Sequence, residues 1–327
     1  MNKKINTVTR RNFIRTTAAG ATALAFAPMA FSCSGDTGST FGGVHIGVIT
    51  YSWRSMPSTA DDIIRYCVEG NITSLELMGN VAEEFVGIPP MPPRPPRDVE
   101  QTEEERNAYL AACDIAAQKQ KEWRKQCDFE RYKELRKRFD MAGIHIHTVK
   151  FAPANWSDEE IDYAFQAAKV LGAGAITNEI GDEACRKLGK FAEKHGMIAA
   201  YHNHSQPGEP GFSFDAFLAQ SPANKLNLDV GHYFGSTGKH PNELIERLHD
   251  RIYSIHLKDK TGKNSNPPNT NRPWGEGETP LKDILGLIKE KKWPIYCDIE
   301  LEYPIPDGSD AQTEIVKCVD YCKNLLS

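Results

Sequence analysis

Leu226-Asn227-Leu228-Asp229-Val230-Gly231-His232-Tyr233 begins as a buried strand and ends in chemistry. Leu226, Leu228 and Val230 are apolar with polar residues between them, the period-two pattern of a strand. Asp229 and His232 stand three apart at its C-terminal end, followed by an aromatic residue. A carboxylate and an imidazole placed there serve metal ligation or acid–base chemistry, or simply an Asp–His hydrogen bond that ties a loop. Repetition decides between these readings, because other apolar runs in the chain end in the same way.

Those runs are Val44–Ile49, Ile72–Leu77, Ile144–Val149, Ala173–Thr177, Met197–Tyr201, Ile252–Leu257 and Pro294–Ile299, which with the Leu226 stretch make eight strands. Amphipathic helices alternate with them. One covers Thr59–Glu69 and is closed by Gly70; another opens on the capping box Ser157-Asp158-Glu159-Glu160 and stops at Gly172. Asp182–His195 ends at Gly196, Asn242–His249 follows Pro241, and Asp310–Leu326 closes the chain. Eight strand–helix units with short connections predict an α/β fold, a (β/α)8 TIM barrel over residues 44–327. A doubly wound open sheet is the alternative, but no Gly-x-Gly-x-x-Gly turn follows any strand.

Residues 1–33 read as a leader. Lys3, Lys4 and Thr9-Arg10-Arg11-Asn12-Phe13-Ile14-Arg15 precede the Ala-rich run Ala18–Phe31, a basic then apolar order that resembles a twin-arginine export signal. Ala30-Phe31-Ser32-Cys33 matches a lipobox loosely, which makes Cys33 a candidate lipid anchor and residues 34–43 a tether. The expected location is therefore periplasmic or membrane-anchored. A net charge of −5 over 327 residues argues against a nucleic-acid partner. Eight cysteines include no Cys-x-x-Cys pair, and Cys318 and Cys322, one helical turn apart beside Val319 and Leu325, read as core.

One connection breaks the rhythm. Residues 80–143 hold Pro89-Pro90-Met91-Pro92-Pro93-Arg94-Pro95-Pro96-Arg97 and a helix opened by Thr102-Glu103-Glu104-Glu105. The proline run is stiff and extended. An SH3-type ligand or a solvated spacer is the plain reading. Because the insertion rises from strand C-termini, a lid over the mouth or a contact in a homo-oligomer is preferred.

Strand three supplies His145, His147 and Lys150; strand four leads to Glu179; strand five ends in Tyr201-His202-Asn203-His204. Strand seven carries Ile255-His256-Leu257-Lys258-Asp259, and strand eight Asp298-Ile299-Glu300-Leu301-Glu302. In a barrel these ends converge on one mouth. Buried without partners they would be costly. A divalent cation held by mixed nitrogen and oxygen ligands removes that cost and supplies a Lewis acid.

Asp-x-x-His on strand six, Ile-His-Leu-Lys-Asp on strand seven and a Glu on strand eight resemble the xylose-isomerase-like barrel superfamily. That group includes sugar (phosphate) isomerases and epimerases, inosose dehydratases, 3-keto-glycoside lyases and endonuclease IV. Tyr201-His202-Asn203-His204 resembles one branch of it, as does Trp274-Gly275-Glu276-Gly277. The resemblance runs from about Val44 to the C-terminus and is weakest across the proline-rich insertion. It implies a divalent ion (Mn, Co, Zn or Mg) on His202, Asp229, His256 and Glu300, with His232 touching substrate. Relatives that epimerise carry a Glu where His202 stands. Glu179 is then the substitute carboxylate, His204 an alternative ligand, and Glu302 the fallback for Glu300.

The implied activity is that of a metal-dependent enzyme on a keto-sugar, cyclitol or keto-glycoside, working through an enediolate. Glu179, Lys150, Lys258 and His232 are its expected catalytic groups, and His147, His204, Trp274 and Glu76 its expected substrate contacts. Lyase, dehydratase or keto-glycoside cleavage ranks above isomerase or epimerase. A non-catalytic sugar-binding lipoprotein is the further alternative, and a nuclease is disfavoured by the acidic charge.

Overall fold

The computed structural model describes residues 38–96 and 99–327; the leader and Cys33 lie outside them. Eight strands form the barrel: β1 (Val44–Ile49), β2 (Ser74–Met78), β3 (His145–Lys150), β4 (Ala175–Glu179), β5 (Ile198–His202), β6 (Asn224–Asp229), β7 (Ile252–Leu257) and β8 (Tyr296–Ile299). Each pairs in parallel with the next, and β8 closes on β1 with Gly47 opposite Asp298. The expected (β/α)8 barrel is the observed fold.

Alternation along the strands explains both faces of the wall. Ile46 and Val48, Leu75 and Leu77, Leu226 and Leu228, Ile255 and Leu257, and Cys297 and Ile299 all belong to the buried apolar core. The intervening positions Glu76, Asn227, Asp229, Ser254, His256 and Asp298 turn into the barrel, where every one is shielded from solvent. The interior is thus polar where most barrels of this kind stack branched apolar residues. Gly47 makes room for it. A Cβ there would lie 2.0 Å from Asp298 Oδ1 and 3.2 Å from the Ser74 carbonyl. Gly47→Ala should therefore cost about 1–3 kcal/mol of stability. An unchanged thermal midpoint would contradict this placement of the Asp298 carboxylate.

The helices are α1 (Ala60–Glu69), α2 (Gly79–Val86), α3 (Glu103–Lys125), α4 (Glu130–Met141), α5 (Asp158–Leu171), α6 (Asp182–His195), α7 (Phe214–Leu218), α8 (Val230–Thr237), α9 (Pro241–Leu248), α10 (Leu281–Lys291) and α11 (Ala311–Leu326). Cys318 and Cys322 of α11 are buried as free thiols. The long connection between β2 and β3 contains α2, the proline run, α3 and α4. Thr102 opens α3, as expected, and does so through a capping box with Glu105. The second half of α3 is anchored on the barrel. Arg124 bonds Glu83 at 2.7 Å and Glu160 at 3.1 Å while stacking on Trp156, and Gln120 donates to the Pro89 carbonyl. Leu110 and Ile115, nearer its start, are exposed.

Of residues 34–43, expected as a tether, 38–43 fall among the described residues. Thr40–Phe41 pairs antiparallel with Val44 and His45, and the Ser39 hydroxyl donates to the Ile46 carbonyl, so residues 38–43 lie against the barrel.

Candidate metal centre

Four side chains from four neighbouring strand ends meet at the C-terminal mouth of the barrel. His202 ends β5, Asp229 ends β6, His256 lies in β7, and Glu300 follows β8. Each offers one ligand atom within 4.8 Å of the others, and all four residues are buried. His202 Nε2 lies 3.4 Å from Asp229 Oδ2 and 3.6 Å from Glu300 Oε2. His256 Nδ1 is 2.7 Å from Glu300 Oε2.

The two oxygens of Asp229 do different work. Oδ1 accepts the His232 backbone N–H at 2.7 Å and caps α8, so the simple tie expected of the Asp–His pair is real but runs through the backbone. Oδ2 lies 3.0 Å from Lys258 Nζ and 3.4 Å from His202 Nε2 without an aligned hydrogen bond, and His202 Nε2 likewise makes none. Asn203 clamps this strand end in both directions, accepting the Asp229 N–H and donating to the Asp229 carbonyl.

Glu76 and His147, expected against substrate, lie below this group. Glu76 is fully buried in the barrel wall. Its carboxylate accepts from Thr177 Oγ1 at 2.7 Å and from Asn227 at 3.1 Å, and pairs with His256 Nε2 at 2.7 Å. Burial alone would raise its pKa, but the His256 imidazolium overrides this and holds it down to about 2. Glu76 therefore fixes the orientation of His256 from inside the barrel wall. His147 sits lower still, bonded to Ser74 and Asp298 and stacked on Tyr296 at 4.1 Å. Both are third in their strands, too deep for a ligand at the mouth.

The rim holds the remaining candidates. Glu179 Oε1 bonds Lys150 at 2.7 Å, and Oε2 meets His204 Nε2 at 2.9 Å and His202 Nδ1 at 3.1 Å. Burial opposes its charge, yet His202, His204 and Lys150 together keep it ionised far below the ordinary carboxylate range. Glu179 thus stands behind His202, outside the four-residue group. Lys258 spans the other side, 3.0 Å from Asp229, 2.9 Å from Glu300, 2.6 Å from Glu302 and 3.0 Å from His232 Nε2. Burial pushes the His232 imidazole down to about 4, so it is neutral. Trp274 does not join them; its ring packs edge-on against Tyr321 of α11. Its loop is fixed by Asp259, whose carboxylate accepts the N–H groups of Gly275, Gly277 and Thr279.

The donor set suits a divalent cation. Two imidazoles and two carboxylates are the mixture such ions accept, and two of their atoms, His202 Nε2 and Asp229 Oδ2, are buried without an aligned hydrogen bond, the second answered only by the Lys258 ammonium. His256 would present Nδ1, because Glu76 holds the proton on Nε2. In the cation-free chain the charge is balanced otherwise, by Lys258 and by protons. Burial opposes a charge on His202, but Asp229, Glu179 and Glu300 outweigh it and raise its pKa to about 9. Burial likewise opposes a charge on His256, but Glu76 and Glu300 outweigh it and hold its pKa well above the ordinary imidazole value. A cation must therefore displace protons. Mn2+ binding should release protons near neutral pH and tighten as pH rises toward 9, seen by calorimetry in buffers of different ionisation heat. Binding enthalpies independent of buffer would contradict it.

The family described as xylose isomerase-like TIM barrel matches residues 110–322. An inosose dehydratase of Clostridium beijerinckii is 31% identical over 80 residues, 24% of this chain and 26% of that protein, so the chain spans about a quarter of this curated relative. Among solved structures, a sugar phosphate isomerase/epimerase of Parabacteroides distasonis superposes with a TM-score of 0.57 at 16% identity, covering 91% of this chain and 98% of that one. A probable 3-DHS dehydratase of Bacillus anthracis superposes at 0.55 and 15% identity, covering 85% and 98%. At these identities the structural likeness speaks to the fold alone.

Proposed function

Because the chain belongs to the xylose isomerase-like TIM barrel family, we propose that it is a divalent-metal-dependent enzyme acting on a keto-sugar, cyclitol or keto-glycoside. The observation that carries this reading is the convergence of His202, Asp229, His256 and Glu300 within 4.8 Å at the barrel mouth. When bound there, a divalent cation supplies a Lewis acid that draws charge off a carbonyl and its neighbouring hydroxyl. The chain's own groups do the rest. Glu179, ionised and partly exposed, takes the proton from the carbon between them. Lys258 and the neutral His232 hold the oxygens on which charge develops. Glu179, once protonated, can return that proton to a departing hydroxyl or aglycone on the next carbon, with Lys150 beside it at 2.7 Å.

This favours lyase, dehydratase or keto-glycoside cleavage. His202 stands where a second carboxylate base would be needed, and its nitrogens are committed to the four-residue group and to Glu179. Epimerisation is the second reading, favoured by one observation. Glu302 follows β8, across the barrel from Glu179 at the end of β4, and could serve the opposite face.

The test is metal content together with turnover. The purified protein, reconstituted with Mn2+, is offered ketohexoses, inosose-type cyclitols and 3-keto-glycosides. Turnover of one class that disappears with chelator and returns with metal is expected. Tight sugar binding without turnover would instead support a non-catalytic binding protein.

A further inference from the structure

Lys260 is a buried lysine that forms no ion pair of its own among the described residues. It lies three residues beyond β7, its backbone N–H is fixed on Thr279 Oγ1 at 3.0 Å, and the residue is 3% exposed. Its Nζ lies 3.4 Å from Nδ1 of His232, a residue just past the Asp229 strand end. The neighbouring ammonium groups are neutralised, Lys150 by Glu179 and Lys258 by Asp229, Glu300 and Glu302. Among the described residues no ion pair includes Lys260. The acidic groups whose charge it senses, Asp229, Glu302 and Glu300, are all turned toward Lys258.

A buried ammonium without a counter-charge is costly to keep, and desolvation lowers its pKa accordingly. A ligand that brings the missing charge removes the cost. Resting on the sugar-enzyme reading above, we propose that Lys260 receives a carboxylate of the substrate, so that the enzyme acts on a sugar acid and not on a neutral sugar. A phosphate fits less well. Its oxygens call for a guanidinium fork or a row of backbone N–H groups, whereas the groups around Lys260 are His232, the Lys258 ammonium and the carboxylates of Asp229, Glu300 and Glu302, which repel a second negative charge.

Calorimetry on the Mn2+-loaded full chain tests this with D-fructose and D-glucose against 5-keto-D-gluconate and D-glucuronate. The acids should bind about tenfold more tightly than the neutral sugars, as one charge-assisted contact implies. The preference should shrink in high salt, vanish in Lys260→Met and largely persist in Lys260→Arg. Equal affinities in the unmodified protein would overturn the assignment without any variant, so a misfolded Lys260→Met leaves the test decisive. An undiminished preference in a folded Lys260→Met would overturn it too. If neutral and acidic sugars bind alike, only the role of Lys260 falls. If no sugar binds, the sugar-enzyme reading falls with it.

Discussion

Asp229→Asn and Glu300→Gln should each strip the protein of tightly held divalent metal and of turnover together. Asn is the informative replacement at Asp229, because its amide oxygen can still cap α8 while the anionic Oδ2 is lost. The fold then survives and the readout is the site. Affinity should fall by roughly a hundredfold or more, since even groups outside a ligand shell are worth 10–100-fold. Metal content after dialysis, measured beside thermal unfolding, separates ligand loss from misfolding. Glu302→Gln is the control. Glu302 is two residues beyond Glu300 and is tied to Lys258 at 2.6 Å, so its loss should leave metal content intact. Full metal retention in both Asp229→Asn and Glu300→Gln would make the assignment wrong. Retention in Glu300→Gln alone, with loss in Glu302→Gln, would move the ligand to Glu302.

The same residues show what the sequence makes legible. Asp229, His256, Glu300 and His202 each sit at or just past the end of an apolar run, and a parallel barrel gathers such ends at one mouth. The convergence needs only period-two alternation and strand order, whereas the choice of these four among the other strand-end residues rests on the family resemblance. Depth is harder. Glu76 and His147 share the alternation of the mouth residues, yet each is third in its strand, below the ends Met78 and Lys150. Counting back from the strand ends would have placed them under the site. Trp274 depends on a tie between Asp259 and three backbone N–H groups some 16 to 20 residues away, which spacing does not reveal. Nothing in the spacing marks Lys260, two residues beyond Lys258, as different from an ordinary loop lysine. The helices α2 and α4 are hidden in a connection whose proline run and charge dominate its reading, and Phe129, Tyr132 and Phe139 of that region are the packing signal that was available.

Glu179→Gln should lower turnover by about 10²–10⁴-fold, the usual worth of a positioned general base, while leaving metal content nearly unchanged. Glu179 touches the four-residue group only through His202 Nδ1, and a glutamine oxygen can still accept from that nitrogen. The same variant separates the two reaction types when paired with Glu302→Gln. If the enzyme eliminates, one carboxylate takes the carbon-bound proton and returns it to the departing oxygen. Glu179→Gln then abolishes elimination, and Glu302→Gln costs far less. If it epimerises, a base is needed on each face of the enediolate, and both variants fail alike. Deuterated water supplies the second readout. Loss of water or aglycone from a 3-keto-glycoside or cyclitol, without deuterium-labelled epimers of free ketohexoses, supports elimination. Clean labelled epimers with no elimination would sink the lyase ranking. They would also make Glu302, across the mouth and held by Lys258, the second base that His202 in the barrel wall cannot provide.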